Sequence, residues 1–557
     1  MKRRLSVILT LLLLAGCAGQ RVPEGGPVDS VPPEIVSVFP SPGTINFTGN
    51  SILIEFSEYV DRRSAEEAVF ISPGIRERET DWSGREMEIT FNEPLRQNTT
   101  YVVTIGTDVR DIRASNRMAR SFTISFSTGP VIDKGAIMGS VTDPKPDGVM
   151  IFSYRLDGVT ADTLRPQVTP PDYLTQTGSN GEFGLTNIAP GTYRLFAVRD
   201  EYRNLLYDPE TDAAGTTADV IVSAIDSVRS GMRFIIAKED TTPPRISLAQ
   251  AVDRQHLSVQ FSEPLDSASV ALGSFRITDT LFRRQLPVRQ FFLRAEDYKS
   301  YTLVTDTQQV DERYVVSVTG PKDAAGLPMH AVANALQFTG VSLPDTLPPA
   351  FLAASVTDPK VKNFPGEPVI LYFSDALQGT PADSLVRLVR VKDSAVVPTA
   401  VTVRTASTLL VRPVSPLRAA EQYALSLRMK FVRDLSGNRA ADTVVTVRWQ
   451  TEDPENYGSM EGTFTGYDGK GVIEAENVTV KSQPVVRTRT AAGGKFSFTL
   501  LPEGKYAVKA FHDANGNLRH DAGTVYPYAR GERFIFYSDT VRVRARWPVD
   551  GIIFAAP

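Results

Sequence analysis

The stretch Leu257-Ser-Val-Gln-Phe261-Ser262-Glu263-Pro264-Leu265 decides how this chain reads. Apolar and polar residues alternate up to Phe261, as in a strand with one face in a core, and Ser-Glu-Pro then ends the run. The pattern returns at Ile52-Leu-Ile-Glu-Phe56-Ser57-Glu58 and at Val369-Ile-Leu-Tyr-Phe373-Ser374-Asp375. The surroundings repeat as well. Upstream stands a Pro-Pro pair, in Ser30-Val-Pro32-Pro33, Asp240-Thr-Thr-Pro243-Pro244 and Asp345-Thr-Leu-Pro348-Pro349. Downstream comes a Tyr-led strand, Tyr101-Val-Val-Thr-Ile105, Tyr314-Val-Val-Ser-Val318 and Tyr423-Ala-Leu-Ser-Leu427. Asp323-Ala-Ala-Gly326 and Asp434-Leu-Ser-Gly437-Asn438 add turn chemistry before a closing strand, whereas the first copy is looser, between Asp108 and Asp111. Three copies in one order make this a structural unit.

A second unit occurs twice. Gly181-Glu-Phe183-Gly-Leu185-Thr-Asn-Ile188-Ala-Pro-Gly191-Thr-Tyr193 aligns without a gap on Gly494-Lys-Phe496-Ser-Phe498-Thr-Leu-Leu501-Pro-Glu-Gly504-Lys-Tyr506. Each copy reads as strand, tight Gly turn, strand, with Gly135 to Val141 and Gly458 to Phe464 as a first strand upstream. The chain's 39 glycines and 38 prolines separate short runs rich in Val, Ile, Thr, Phe and Tyr, and no long segment keeps a 3.6-residue apolar period. The expected class is all-β.

The Pro-Pro opening, the Phe-Ser-acidic strand end and the Asp-x-x-Gly turn resemble bacterial Ig-like domains, over residues 30–129, 240–340 and 345–451. The second unit resembles the carboxypeptidase regulatory-like, transthyretin-like sandwich, over residues 132–238 and 456–557. Together they imply a tandem array of five β-sandwich domains, three Ig-like and two regulatory-like.

The start of the chain carries Lys2, Arg3 and Arg4, an apolar run from Leu5, and Leu14-Ala15-Gly16-Cys17, with Cys17 the sole cysteine of 557 residues. This layout is that of a secretory signal, too short to span a bilayer. It resembles the bacterial lipoprotein signal: residues 1–16 would be removed, Cys17 acylated, and residues 17–29 left as a tether. No disulfide can staple the chain, so apolar cores must hold it. Ala18 stands where the resemblance would place an aspartate for inner-membrane retention, which favours the outer membrane, with its periplasmic or surface face open. The formal net charge of −4 and the absence of long basic runs after residue 4 argue against nucleic acid.

Asp513-Ala-Asn515-Gly-Asn517-Leu-Arg-His-Asp521 offers oxygens at positions 1, 3, 5 and 9 of a Gly-containing loop, as a calcium loop does. Position 6 is Leu518 rather than Gly, and position 12 is Thr524 rather than Glu, so an Asx-rich turn is the favoured reading and Ca2+ the alternative. The earlier copy, Asp200 to Asp208, has Tyr202 at position 3. His256, His330, His512 and His520 have no metal-spaced partners, and His512 and His520 read as solvated. Catalytic motifs for nucleophiles, zinc or phosphate are missing from the sequence, so no catalytic residue is assigned and the chain reads as non-enzymatic. Glu58, Glu263 and Asp375 recur once per copy, which points to structure rather than glycoside hydrolysis. Eleven Asp-Ser/Thr pairs, among them Asp29-Ser30, Asp240-Thr241 and Asp345-Thr346, resemble the O-glycosylation acceptors of Bacteroidota envelope proteins, or are turn chemistry.

The expected function is a lipid-anchored envelope scaffold or adhesion rod with protein or glycan partners. The alternative is a carbohydrate-binding or accessory component of a polysaccharide- or peptide-processing system.

Overall fold

The computed structural model describes residues 29–555, apart from 76, 159–162, 225–226, 296, 358–361, 380–383 and 466–469. Strand accounts for 48% of the chain and helix for 4%, arranged in many separate sheets. The class is all-β.

Each Ig-like copy is two facing antiparallel sheets. In the second copy one sheet runs Ile246–Ala251, His256–Phe261, Ser300–Thr305, Val288–Leu293, and the other Gln285–Leu286, Phe275–Asp279, Arg313–Val318, Ala335–Thr339. The third copy has the same order, and the first keeps it with one strand fewer. The alternation seen in sequence becomes burial: Leu257, Val259 and Phe261 are buried, whereas Ser258 and Gln260 are only half-buried.

The Tyr that leads the later strand makes the same two contacts in every copy. Its hydroxyl accepts a backbone N–H five residues upstream, from Arg96 to Tyr101 (2.8 Å), Gln309 to Tyr314 (3.0 Å) and Arg418 to Tyr423 (2.8 Å). Its ring packs on the aromatic directly across the ladder, Phe126, Phe338 and Trp449. This is the tyrosine corner of Ig-like sandwiches. It satisfies a turn amide while burying a large ring, a burial that contributes about 1.5–3 kcal/mol.

The other two sandwiches differ by a parallel pair. Gly135–Thr142 lies between Glu182–Ile188 (antiparallel) and Val228–Ile235 (parallel); Tyr457–Thr465 lies likewise between Lys495–Pro502 and Pro548–Ala555. The middle strand needs Gly139 and Gly462. A Cβ there would come within 2.3 and 2.0 Å of the carbonyl oxygens of Met232 and Ile552, under the rings of Phe183 and Phe496. Hence Gly-x-Phe recurs with a glycine-bearing strand upstream.

Among the described residues, one large apolar core forms within each of the spans 47–126, 137–236, 246–338, 354–449 and 460–554. They fall into two compact units, one reaching to Glu239 and including Asp521–Glu532, the other holding Asp240–His520 and the chain from Arg533. Within the first unit, Val525 joins Phe152, Phe196 and Tyr207 in a further core. Thr216 Oγ1 donates to the Ala529 carbonyl at 2.8 Å, and the Arg194 guanidinium lies 3.6 Å from the centre of the Tyr528 ring. Within the second unit, Phe292 and Val304 of the second Ig-like copy pack on Ala376 of the third.

Candidate functional site

The Phe-Ser-acidic motif has a local cause. The residue after each Pro-Pro pair exchanges two hydrogen bonds with the motif serine. Its N–H donates to Ser57, Ser262 or Ser374 Oγ (2.9, 3.1 and 2.9 Å), and its carbonyl accepts the serine N–H (2.8, 2.9 and 3.0 Å). This clamp fixes the opening segment beside the strand end. Two residues beyond the acid, Val60, Leu265 and Leu377 form single bridges to Asp111, Asp323 and Asp434. Three acids far apart in sequence are thereby brought together in the later copies: Asp240, Glu263 and Asp323 in the second, Asp345, Asp375 and Asp434 in the third. In both sets each carboxylate brings one oxygen to within 4.8 Å of the others. The corresponding acids of the first copy are Asp29, Glu58 and Asp111.

The opening aspartates are shared between backbone and cluster. Oδ1 of Asp29, Asp240 and Asp345 accepts the N–H of Val31, Thr242 and Leu347, each at 3.1 Å. The turn aspartates behave alike in the later copies. Asp323 Oδ1 accepts from Ala325 (2.8 Å) and Leu327 (2.9 Å), and Asp434 Oδ1 from Asn438 (2.8 Å). Oδ2 of Asp323, Asp345 and Asp434 is buried with no hydrogen-bond partner. Asp323 and Asp434 are 2% and 0% exposed. A buried carboxylate oxygen without a partner is costly. Burial, then Asp240 and Asp323, push the Glu263 carboxyl above its ordinary range. Burial raises that of Asp434 too, with Asp345 and Asp375 adding to it against the Asn438 hydrogen bonds.

The first copy departs from this. Its turn is one residue longer, closing from the Asp111 N–H to the Asn116 carbonyl, where the others close from Asp323 to Leu327 and from Asp434 to Asn438. Ala114 and Ser115 donate to Asp111 Oδ1 (2.5 and 3.1 Å) and Asn116 to Oδ2 (2.9 Å), so both oxygens are engaged. Burial opposes its charge, but these amides hold the Asp111 pKa below the usual value.

His256 borders the third set. Its Nδ1 lies 2.7 Å from Asp253 Oδ2, and its Nε2 lies 3.5 Å from Asp375 Oδ1, an ion-pair distance without hydrogen-bond geometry. Burial works against the imidazolium, yet Asp253 and Asp375 prevail and push the pKa up to about 10.

In the Asp513 loop the oxygens face their own backbone. Asp513 accepts from Gly516 (2.8 Å), Asn517 (3.0 Å) and Leu518 (3.2 Å), Asn515 Oδ1 from Asn517 (3.0 Å), and Asn517 Oδ1 from Arg519 (2.7 Å). Arg489 donates to the Gly516 carbonyl (2.6 Å) and Lys470 to that of Ala514 (3.3 Å), so two cationic side chains already serve this loop. Asp521 is counted with the first unit, where its N–H donates to Glu532 at 3.1 Å. Asp200 repeats the pattern, accepting from Asn204 (3.3 Å) and Leu205 (2.8 Å). His520 is not a solvated surface residue: it is half-buried, edge-on to Phe511 and Phe534, whose apolar rings cover it. His330 is exposed, and its Nδ1 accepts from Val332 and Ala333. Of the Asp-Ser/Thr pairs, Asp266, Asp279 and Asp393 accept nearby backbone N–H groups as turn formers, and Asp162, Asp226 and Asp383 lie outside the described residues. Cys17 also lies outside them.

The three-acid sets were missed in sequence because their members come from segments dozens of residues apart. The available signal was Asp29, Asp240 and Asp345, each three residues before the Pro-Pro pair.

No curated protein matches the chain. Among solved structures, the N-terminal part of the bacterial S-layer protein SbsC is 14% identical over 38% of this chain and 45% of its own, with a TM-score of 0.17. This chain therefore spans less than half the length of that relative. An L,D-transpeptidase from Mycobacterium smegmatis is 18% identical over 34% of this chain and 76% of its own (TM-score 0.14). The major pilin subunit of Bacillus cereus is 10% identical over 76% and 99% (TM-score 0.13). At such scores none of these likenesses carries an argument. The family match is local: residues 29–128 fit the model of the bacterial Ig-like domain.

Proposed function

We propose that this chain is a non-enzymatic scaffold or interaction protein of the bacterial cell envelope, attached through lipid on Cys17 and facing protein or glycan partners at the outer membrane. The observation that carries the reading is where the chemistry-bearing side chains go. Asp323 and Asp434 are buried at turns, whereas glycoside hydrolysis needs two carboxylates open to one cleft. Trp449 packs in a core against Tyr423, and the Trp82 indole lies on Phe56 with its N–H on Glu66, so of the three tryptophans only Trp547 is exposed. The bacterial Ig-like match over 29–128 fits a repeated structural module. Among the described residues, no helix is long and apolar enough to cross a membrane. More than one acyl chain on Cys17 would give stable attachment.

Cys17→Ser tests the anchor. The variant should accumulate unprocessed, or leave the membrane fraction on high-salt and carbonate washing. A variant cleaved normally at its signal and still retained by washed membranes would overturn attachment through Cys17.

A further inference from the structure

We propose that the second and third Ig-like copies each bind a calcium ion, through Asp240, Glu263 and Asp323 and through Asp345, Asp375 and Asp434. Each set offers three hard carboxylate oxygens within 4.8 Å of one another, the donor type that calcium selects. Proximity of acids alone would not make a site. The second observation is that Oδ2 of Asp323 and of Asp434, on side chains 2% and 0% exposed, is buried without a hydrogen-bond partner. Each belongs to a carboxylate whose other oxygen is held by turn amides. The backbone thus holds one oxygen of each carboxylate and supplies nothing to receive the other. A cation satisfies that oxygen and removes the repulsion among three like charges. In the third set Asp345 Oδ2 is a second oxygen in this state.

Access is consistent with an exchangeable ion. Asp240 is exposed and Glu263 half-buried, so one side of the second set opens to solvent for water ligands. In the third set His256 Nε2 lies 3.5 Å from Asp375 Oδ1 and a His256 nitrogen lies within 4.8 Å of an Asp345 oxygen, yet Asp345 Oδ2 and Asp434 Oδ2 have no hydrogen-bond partner. Asp345 precedes the third sandwich, so an ion there ties the opening segment to the strand end and to the turn. The first copy provides the internal contrast: its longer turn engages both oxygens of Asp111, and no ion is assigned to it.

The test is a calcium titration of the full chain, stripped with chelator, followed by calorimetry and by thermal unfolding. Two ions per chain are expected, with dissociation constants of about 10⁻⁴ to 10⁻³ M, the range of extracellular modules. Unfolding should shift upward by a few degrees in millimolar calcium. Asp323→Asn and Asp434→Asn should each remove one ion and together remove both; asparagine keeps an oxygen for the turn amides, and unfolding in chelator checks that the fold survives. Glu263→Gln and Asp375→Asn, outside the turns, should give the same losses. Glu58→Gln and Asp513→Ala should leave both ions bound. Identical melting in calcium and chelator, or two ions retained in the double variant, or ions lost through Asp513→Ala in place of Asp323 and Asp434, would overturn the assignment.

Discussion

The first Ig-like copy and its two later counterparts solve one problem differently. All three place an aspartate at the same point of the same turn, bridged to the residue two beyond the motif acid. In the first copy one extra residue lets three backbone amides close around Asp111, and the carboxylate is satisfied by its own chain. In the later copies a shorter turn, with Gly326 or Gly437 at φ +91°, leaves Oδ2 without a partner. A one-residue change in loop length thus separates a buried carboxylate that completes its own turn from one left with an oxygen that the turn does not receive.

Substituting the aspartate itself should separate the two turns most. Asp111→Asn replaces one accepting oxygen with an NH2 that faces an amide donor, a loss of about 1–3 kcal/mol for an unsatisfied buried group. The same change at Asp434, in chelator, keeps the bond from Asn438 and removes a charge from beside Asp345 and Asp375. It should be neutral, or stabilising by about 1 kcal/mol. Hydrogen exchange of the amides of residues 114–116 and 438 reads both. Faster exchange at 438 than at 114–116 would mean that the two turns do not differ in the way their hydrogen bonds indicate.

The glycine comes next. A Cβ on Gly326 or Gly437 meets nothing within 4 Å, so a substitution there feels only the backbone. At φ +91° an L-residue is strained, and Gly437→Ala should cost about 1–2 kcal/mol. Calorimetric unfolding measures it; an unchanged transition would show that the turn rearranges without penalty.

What was legible in the sequence follows from the range of each cause. Phe-Ser-acidic, Pro-Pro and Tyr-led strands are local patterns with local reasons, the serine clamp and the tyrosine corner, and they mark out repeated all-β units. Asp513, Asn515 and Asn517 also form a local pattern, and the structure gives their oxygens to the loop's own amides, with Arg489 and Lys470 on its carbonyls. The convergence of Asp240, Glu263 and Asp323 depends on strand register and on a bridge at Leu265, which no spacing rule conveys. In the sequence, the opening aspartates were visible as parts of Asp-Ser/Thr pairs and at a fixed distance before each Pro-Pro pair, which does not place them beside the other acids. The inclusion of Asp521–Glu532 in the first unit was equally illegible, since it rests on contacts such as that of Tyr528 with Phe196, from segments remote in the chain.

A side-chain change in the first copy's turn should have little effect. Ser115 occupies the left-handed position there at φ 61°, inside the narrow region that non-glycine residues tolerate, and it is exposed. Its role in the turn is carried by its N–H, which donates to Asp111 Oδ1 at 3.1 Å and survives any side-chain change. Ser115→Gly therefore relieves a left-handed strain of about 1–2 kcal/mol. It also frees the unfolded chain, which costs back about 0.5–1 kcal/mol. The two terms oppose, and the net change should be a stabilisation of about 0.5 kcal/mol, visible as a small upward shift of the transition. Calcium stoichiometry should stay as it is, because the turn keeps its length and Asp111 keeps its three amides. A gain of one bound ion in Ser115→Gly would show that residue type at this position, rather than turn length, governs the fate of the aspartate.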